Sequence, residues 1–567
     1  MNPAIRFSPD AFLIAGMKLM GRQAAGTGFL RAAVANRSNE PLWAVSSDRG
    51  HAAIFKRLVH EIDPLADARW APMDRSLDLF PRIGTVYWPA PGLAEPARAR
   101  LRRGPAAYSL CGVTHTTCSH TVMDEICDML TAPVMPWDAI ICTSAAVAET
   151  VTTLLAREAD YLRWRFGAPL DVTLPQRRVI PLGVHVEDFA FTEGDRASAR
   201  QRLNLADDEI VSLFVGRLSA HAKAHPFPAY VGLQRAARRS GKKLVLIQCG
   251  WFANPDIEKA FQDGAARFCP DVRVIFVDGQ DAERRRDCWA GADIFLSLAD
   301  NIQETFGLTP IEAMAAGLPA VVTDWNGYKD TVRDGIDGFR ITTWMPGPGE
   351  GDDFALRYES HTMNYDMYCA LTSATVSLDV NMLEERLTSL ALRSELRQTM
   401  GDAGRRRARE LFDWNVVYRQ YQALWAELAE IRNEAAKHYG GQHYLRLAPR
   451  NAAARCDPYL NFGHYPSKTV LPTTRVSSLQ ADSADSEDLV RHPLFGVAVH
   501  PFFGSSGERR VLDAGIVADI LQATRTERQT IQQLANQLRV DVGVTLRAVA
   551  AIAKMGLVRL SNRGDVE

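Results

Sequence analysis

The stretch Asp300–Val321, DNIQETFGLTPIEAMAAGLPAV, decides how the chain folds. It follows IFLSL (Ile294–Leu298), a short apolar run of strand formers bounded by polar residues, which reads as a buried strand. Thr309 is placed to cap a helix, Pro310 suits a first helical position, and Glu312 falls where a capping-box carboxylate reaches back to the cap. Gly317 is placed to end that helix, Pro319 forbids its continuation, and AVVT (Ala320–Thr323) resumes as a strand. The unit is strand, loop, helix, strand, one turn of a parallel α/β sheet.

In such sheets ligands sit at the carboxyl ends of the strands, where loop amides and helix N-termini face anions. Glu304 occupies that rim, and two readings of the glutamates fit. In one, Glu312 only caps its helix and Glu304 is a solvated loop charge. In the other, both carboxylates accept hydrogen bonds from something rich in hydroxyls, such as a sugar or a ribose.

With 567 residues the chain has room for two to four domains, and its 47% hydrophobic and 23% charged composition is that of an ordinary globular protein. A net charge of −2 points to neither nucleic acid nor an anionic membrane. The nine cysteines are scattered without a CxxC pair, which favours reduced thiols and a cytoplasmic location over a disulfide frame or a zinc site. The N-terminus, with Asp10 and Lys18 around a short apolar patch, is unlike a secretory signal. No transmembrane segment is expected, because even AIICTSAAVAETVTTLLA is interrupted by Glu149.

Outward from the opening stretch the alternation continues. AFLIAGM (Ala11–Met17) reads as a first strand, with GRQAAGTGFLRAAVA (Gly21–Ala35) as a glycine-rich turn running into a helix; its glycines let amides approach a phosphate, or serve conformation alone. AYSLCGVTH places His115 at a strand's C-terminal end, a position suited to chemistry, with His120 as its rival. After the connection RVIPLGVHVEDF (Arg178–Phe189), a second series runs through IVSLFVGRL, KLVLIQCG, VRVIFV, IFLSL and AVVT. Two successive series predict two doubly wound domains facing each other across a cleft. Trp344–Tyr358, with PGPGEGDD, reads as a loop, and two amphipathic helical stretches up to about Ala435 are expected to pack on the second domain or cross back to the first. VSSLQADSADSEDL (Val476–Leu489) resembles a linker, and the tail from about Val511 resembles a winged-helix module. With its charges balanced, that module is expected to contact a protein partner or serve structure, and nucleic acid is not expected. The expected domains are 1–180, Rossmann-like; 181–435, Rossmann-like with closing helices; 436–510, an irregular linker; and 511–567, the module; the resemblance described next implies that the first is the acceptor side and the second the nucleotide-sugar side.

Over roughly Ala11–Ile431 the chain resembles the retaining, nucleotide-sugar-dependent glycosyltransferases of the GT-B fold, the family 4 type or group 1 glycosyl transferases. ETFGLTPIE matches the group's paired-glutamate motif. The resemblance implies that Glu304 approaches the donor sugar's hydroxyls, that amides around Phe306, Gly307 and Leu308 face the sugar and pyrophosphate, and that Glu312 holds the ribose. VGRLSAHAK supplies Arg217 and Lys223, matching the basic pair on the donor diphosphate, with a spacing one residue longer than the commoner form. Gly21 and Gly26 match the first loop's glycines, His115 matches a histidine on the acceptor-facing side, and GYKDTVRDGIDGF matches the segment after the glutamates.

The resemblance implies transfer of a hexose or related sugar to a hydroxyl acceptor (glycan, lipid-linked or peptide), as in polysaccharide biosynthesis, without cofactor or metal. Retention in this group is attributed to assistance from the donor's own phosphate, so no protein nucleophile is expected. A nucleotide-sugar epimerase or sugar-phosphate phosphorylase on the same scaffold is one alternative. An inactive scaffold whose C-terminal module binds a partner is another.

Overall fold

The computed structural model describes residues 2–13, 21–437, 445–479 and 514–562. Seven strands form the first sheet: β1 (Ala4–Arg6), β2 (Leu42–Ser46), β3 (Ala68–Pro72), β4 (Thr85–Trp88), β5 (Ser109–Val113), β6 (Ala139–Cys142) and β7 (Gln176–Val179). All pair in parallel, in the order β3-β2-β1-β4-β5-β6-β7. The second sheet holds β8 (Glu209–Val215), β9 (Lys243–Gly250), β10 (Arg273–Asp278), β11 (Ile294–Ser297), β12 (Ala320–Thr323) and β13 (Gly338–Ile341), again all parallel, ordered β10-β9-β8-β11-β12-β13. Both orders reverse beside the sheet's first strand, the doubly wound arrangement that opens a ligand crevice at that switch point. Helices cover both faces, which is why β6, β11 and β12 are buried along their whole length and read as unbroken apolar runs.

The first strand lies earlier than expected. Ser8 and Pro9 start a helix over Pro9–Phe12, so Ala11 and Phe12 are helical and the strand is Ala4–Arg6; the rest of the expected strand, from residue 14, lies outside the described residues. The glycine-rich stretch is helical from Gly21 to Ala35. Its glycines serve close packing: a Cβ at Gly26 would meet the Ala11 carbonyl, and one at Gly28 would meet the Trp414 indole.

The long helix Trp414–Lys437 crosses back to the first domain. Trp414, Tyr418, Tyr421, Trp425 and Leu428 pack with Phe29, Tyr87 and Ile141, and the Phe29 and Tyr87 rings stack 4.2 Å apart. The two chain segments that join the domains are bonded to each other: Val184 N–H donates to Phe412 O (2.8 Å) and Trp414 N–H donates to Val184 O (3.0 Å). Gly183 is required there because a Cβ would overlap the Trp414 ring.

After the second sheet, β14 (Thr343–Trp344) and β15 (Ser377–Leu378) pair antiparallel and close the base of an excursion carrying helices Asp352–Glu359 and Tyr365–Ala374, so the expected loop Trp344–Tyr358 opens as strand and turns helical from Asp352, where the glycines and prolines end. The chain divides into compact units Met1–Ala452 and Ala453–Glu567. In the second unit, helices Ala514–Thr526, Ile531–Leu538 and Val542–Lys554 share a core with a three-stranded antiparallel sheet of β16 (Arg475–Ser478), β17 (Gln529–Thr530) and β18 (Val558–Ser561). The expected linker therefore begins as structure: Val476 is fully buried in β16, opposite Leu560, while residues 480–489 and Val511–Asp513 lie outside the described residues. No helix among the described residues is long and apolar enough to cross a membrane.

Candidate functional site

The loops after β8 and β11 meet at the second sheet's switch point. The first carries Arg217 and Lys223, the second carries Asp300 to Gly307. Lys223 Nζ donates to Glu304 Oε2 in a partly buried ion pair. Burial, the largest influence, would lower the lysine's pKa, but the charge and hydrogen bond of Glu304 together with Tyr328 outweigh it and the net direction is upward. Burial would raise Glu304, yet the Lys223 charge and hydrogen bond, with the amides of Phe306 and Thr305, hold it below its usual value. Both groups are charged at neutral pH.

The longer spacing before Lys223 is absorbed in a turn in which the amides of Lys223 and Ala224 donate to Ser219 O at 3.1 and 3.3 Å. The β11 loop grips that turn: Asn301 Nδ2 donates to His221 O (2.6 Å) and His225 N–H donates to Asp300 Oδ2 (3.4 Å). Arg217 Nη2 donates to Ala222 O (3.1 Å) and Gln303 Oε1 (3.3 Å). Burial pushes the Asp300 carboxyl up to about 7, with the His225 amide opposing.

The helix after Glu304 spans Leu308–Ala316, one turn's fraction earlier than the sequence indicated. Its N-cap is Gly307, at φ 84°, with no side chain capping it; Thr309 and Glu312 form no capping box. Gly307 is demanded twice, by its left-handed backbone and by the Tyr328 ring, which a Cβ would overlap. Pro310 still fits, because the first turn's amides lack helical partners anyway. At the other end Gly317, at φ 79°, donates to the carbonyls of Ala313 and Met314, as expected. Freed from capping, Glu312 faces the cleft. It has no hydrogen bond or ion pair among the described residues, and burial pushes its pKa up to about 7 against the opposing charges of Arg285 and Lys223.

The cleft has a volume of about 920 Å³ and draws on both sheets. Gly21, His115, Arg217, Lys223, Glu304, Phe306, Gly307, Leu308 and Glu312 all line it; Gly26 does not, being packed against Ala11. His115 makes one of several contacts between the domains, its carbonyl accepting from Thr305 Oγ1 (3.1 Å), and burial pushes its imidazole down to about 4. His120 instead stacks on Tyr358. The sequence reading missed Arg22, Arg285, Trp289, Gln303, Tyr365 and Asp366 on the wall. The run Arg284–Arg286 after β10 was a usable signal for Arg285. Among the described residues, no three His, Cys, Asp or Glu side chains stand close enough to hold a metal ion.

A sequence profile of the family described as "Glycosyl transferases group 1" matches residues 195–343, which include the Arg217, Lys223, Glu304 and Glu312 constellation. The D-inositol 3-phosphate glycosyltransferase of Nocardia farcinica is 32% identical over 203 residues, 35% of this chain and 42% of that protein. The enzyme of the same name from Geodermatophilus obscurus is 32% identical over 213 residues, with 35% and 42% covered. The chain thus spans less than half the length of these relatives. Among solved structures, Anabaena HepE in complex with UDP aligns over 75% of this chain and all of its own at 16% identity and a TM-score of 0.47. Sucrose-phosphate synthase from Thermosynechococcus elongatus aligns over 76% and 100% at 18% identity and a TM-score of 0.46. Residues 195–343 are thus similar to the group 1 glycosyl transferases, and that match takes in the second-sheet wall of the cleft.

Proposed function

We propose that the protein transfers a sugar from a nucleoside diphosphate sugar to a hydroxyl acceptor with retention at the anomeric carbon. The observation that carries this reading is the charge layout of the second-sheet wall: two cations, Arg217 and Lys223, beside one partly buried carboxylate, Glu304, with the unengaged Glu312 on the following helix. With Arg285 on the same wall, three cations against two carboxylates leave a positive excess suited to a diphosphate, reinforced by the amides that begin the Leu308–Ala316 helix. Glu304 then turns toward the donor sugar's hydroxyls and Glu312 toward the ribose.

In the reaction the acceptor oxygen bonds to the anomeric carbon as the bond from that carbon to the phosphate oxygen breaks. The electron pair leaves with the phosphate, whose oxygen takes the acceptor's proton. Arg217 and Lys223 offset the charge that develops there, with no metal or cofactor assigned a role. The relatives' name supports a sugar donor, and the nine free cysteines support a reducing, cytoplasmic setting.

The test is a panel of UDP-, GDP- and ADP-sugars assayed for nucleoside diphosphate release, with the product's anomeric configuration read by NMR. Release that falls a hundredfold or more in Arg217→Ala supports the reading. A folded protein that neither binds a nucleoside diphosphate nor releases one refutes it. An inverted product removes the retaining part.

A further inference from the structure

The family match ends at Thr343, where β14 begins, and the chain returns to the second domain at β15. The excursion between them is a small body of its own, with Tyr358, Met363 and Cys369 buried in it. It reaches across to the first domain's loop after β5. The Tyr358 ring stacks on His120 with centroids 3.6 Å apart, its hydroxyl accepts from His120 N–H (3.1 Å) and reaches Cys118 O (3.4 Å), and Tyr368 stacks on its other face at 4.3 Å. Thr116 Oγ1 lies 3.4 Å and the Tyr365 hydroxyl 3.6 Å from Cys118 Sγ.

This docking sets Tyr365 and Asp366 into the cleft wall beside Thr116 and Ser119. A short chain of neighbours ties them to Glu304: Glu304 adjoins Thr305, Thr305 bonds His115, and His115 adjoins Thr116. The excursion therefore borders the cleft beside first-domain residues Thr116 and Ser119, within reach of an acceptor that meets a donor held by Arg217 and Lys223.

We propose that this excursion is the acceptor-recognition element, in which the Tyr365 ring and the Asp366 carboxylate receive a polyhydroxylated ring, a pyranose or a cyclitol. The inference rests on the transfer reading above. Tyr365 spends its hydroxyl on the Cys118 contact, so what it offers the cleft is its ring, a surface for the C–H face of a sugar. Asp366 has no hydrogen bond or ion pair among the described residues, and its two oxygens can accept from two neighbouring hydroxyls. A flat apolar face beside a double acceptor describes a hydroxylated ring. An alkyl-chain alcohol has a single hydroxyl, which the transfer itself takes, so its chain would cover Asp366 at a desolvation cost.

The experiment uses the full chain with UDP present and reads saturation-transfer NMR of methyl α-D-glucopyranoside, methyl α-D-mannopyranoside, myo-inositol, 1-octanol and a serine peptide, alongside acceptor-dependent diphosphate release. At least one ring probe is expected to bind and to be used. Tyr365→Ala and Asp366→Asn are each expected to raise its KM tenfold or more, at least five times the change in donor KM, and Tyr365→Phe is expected to rescue. Preference of the wild type for octanol or the peptide overturns the proposal. So does an equal rise of donor and acceptor KM, or unchanged ring binding in a folded Asp366→Asn protein. Ring binding that depends on Asp366 without any donor turnover sustains this proposal and sinks the transfer reading instead.

Discussion

Glu312→Gln should stabilise the free protein at pH 8 while weakening donor binding. In the structure Glu312 neither caps its helix nor meets a cation, and burial lifts its carboxyl from the ordinary 4.5 to about 7. A carboxyl raised on folding binds more protons folded than unfolded between those two values, so stability is lost as pH rises through that window. At 1.36 kcal/mol per pH unit the loss is about 3 kcal/mol when complete, and about 2 kcal/mol once partial contact with the cleft's water is allowed for. Glutamine has no proton to lose and escapes it. The variant's melting temperature should therefore equal the wild type's near pH 4.5 and exceed it by roughly 5 °C at pH 8. Donor affinity should move the other way, falling roughly ten- to a hundredfold with the loss of a charged hydrogen bond. Paired melting curves across pH 4.5–8.5, with calorimetric titration of the nucleoside diphosphate, measure both. A variant less stable than wild type at pH 8, or one that binds donor as tightly, would refute the reasoning.

Lys223→Met should destabilise the fold by about 3 kcal/mol, because it strands the Glu304 charge in a partly buried site; the double variant with Glu304→Gln should recover most of that in urea unfolding. Asn301→Ala should slow single-turnover diphosphate release in the wild type and add little in a Lys223→Ala background, since its hydrogen bond to His221 O acts by holding the Lys223 turn; full additivity would contradict this. Gly307→Ala should cost about 2 kcal/mol or more and lower donor affinity, read by melting and titration, because it strains a left-handed residue and strikes Tyr328. Truncation after Ala452 should leave the nucleoside diphosphate's effect on melting intact, as every cleft residue named here precedes it.

The strands of the second sheet were legible because helices cover both faces, which leaves short, unbroken apolar runs between turn residues. The first strand was not. Three residues before Ser8 and Pro9 carry too little pattern, and the more apolar text that follows them opens as a helix. Arg217, Lys223, Glu304 and Glu312 were found by motif spacing, which reports chemistry held on adjacent loops of one domain. The same spacing misled on Glu312's local role. It fits a capping box, but the left-handed Gly307 starts the helix two residues before Thr309 could have capped it. Gly26 misled for a related reason: a glycine that admits a phosphate and one that admits a neighbouring carbonyl look alike in one dimension. Tyr365 and Asp366 carried no signal at all, because their place in the cleft depends on a stack between residues 238 positions apart.

The paired crossings at Val184 and Trp414 have a kinematic consequence. A single linker would let one body swivel, twist and slide against the other. Two strands of backbone bonded side by side behave as a pinned door hinge, with one axis of easy rotation running along the bridge and the Trp414 indole filling the knuckle. The contact of Tyr358 with His120 is then one latch, beside the bonds of Thr305 to His115 and Ser144, all away from the pins in sequence. An opening movement has to unstack those rings and break those bonds while the indole stays seated, so a fluorine label on the Trp414 indole, resolved by NMR from the other ten tryptophans, should report the hinge as stationary while a probe at the latch reports the door.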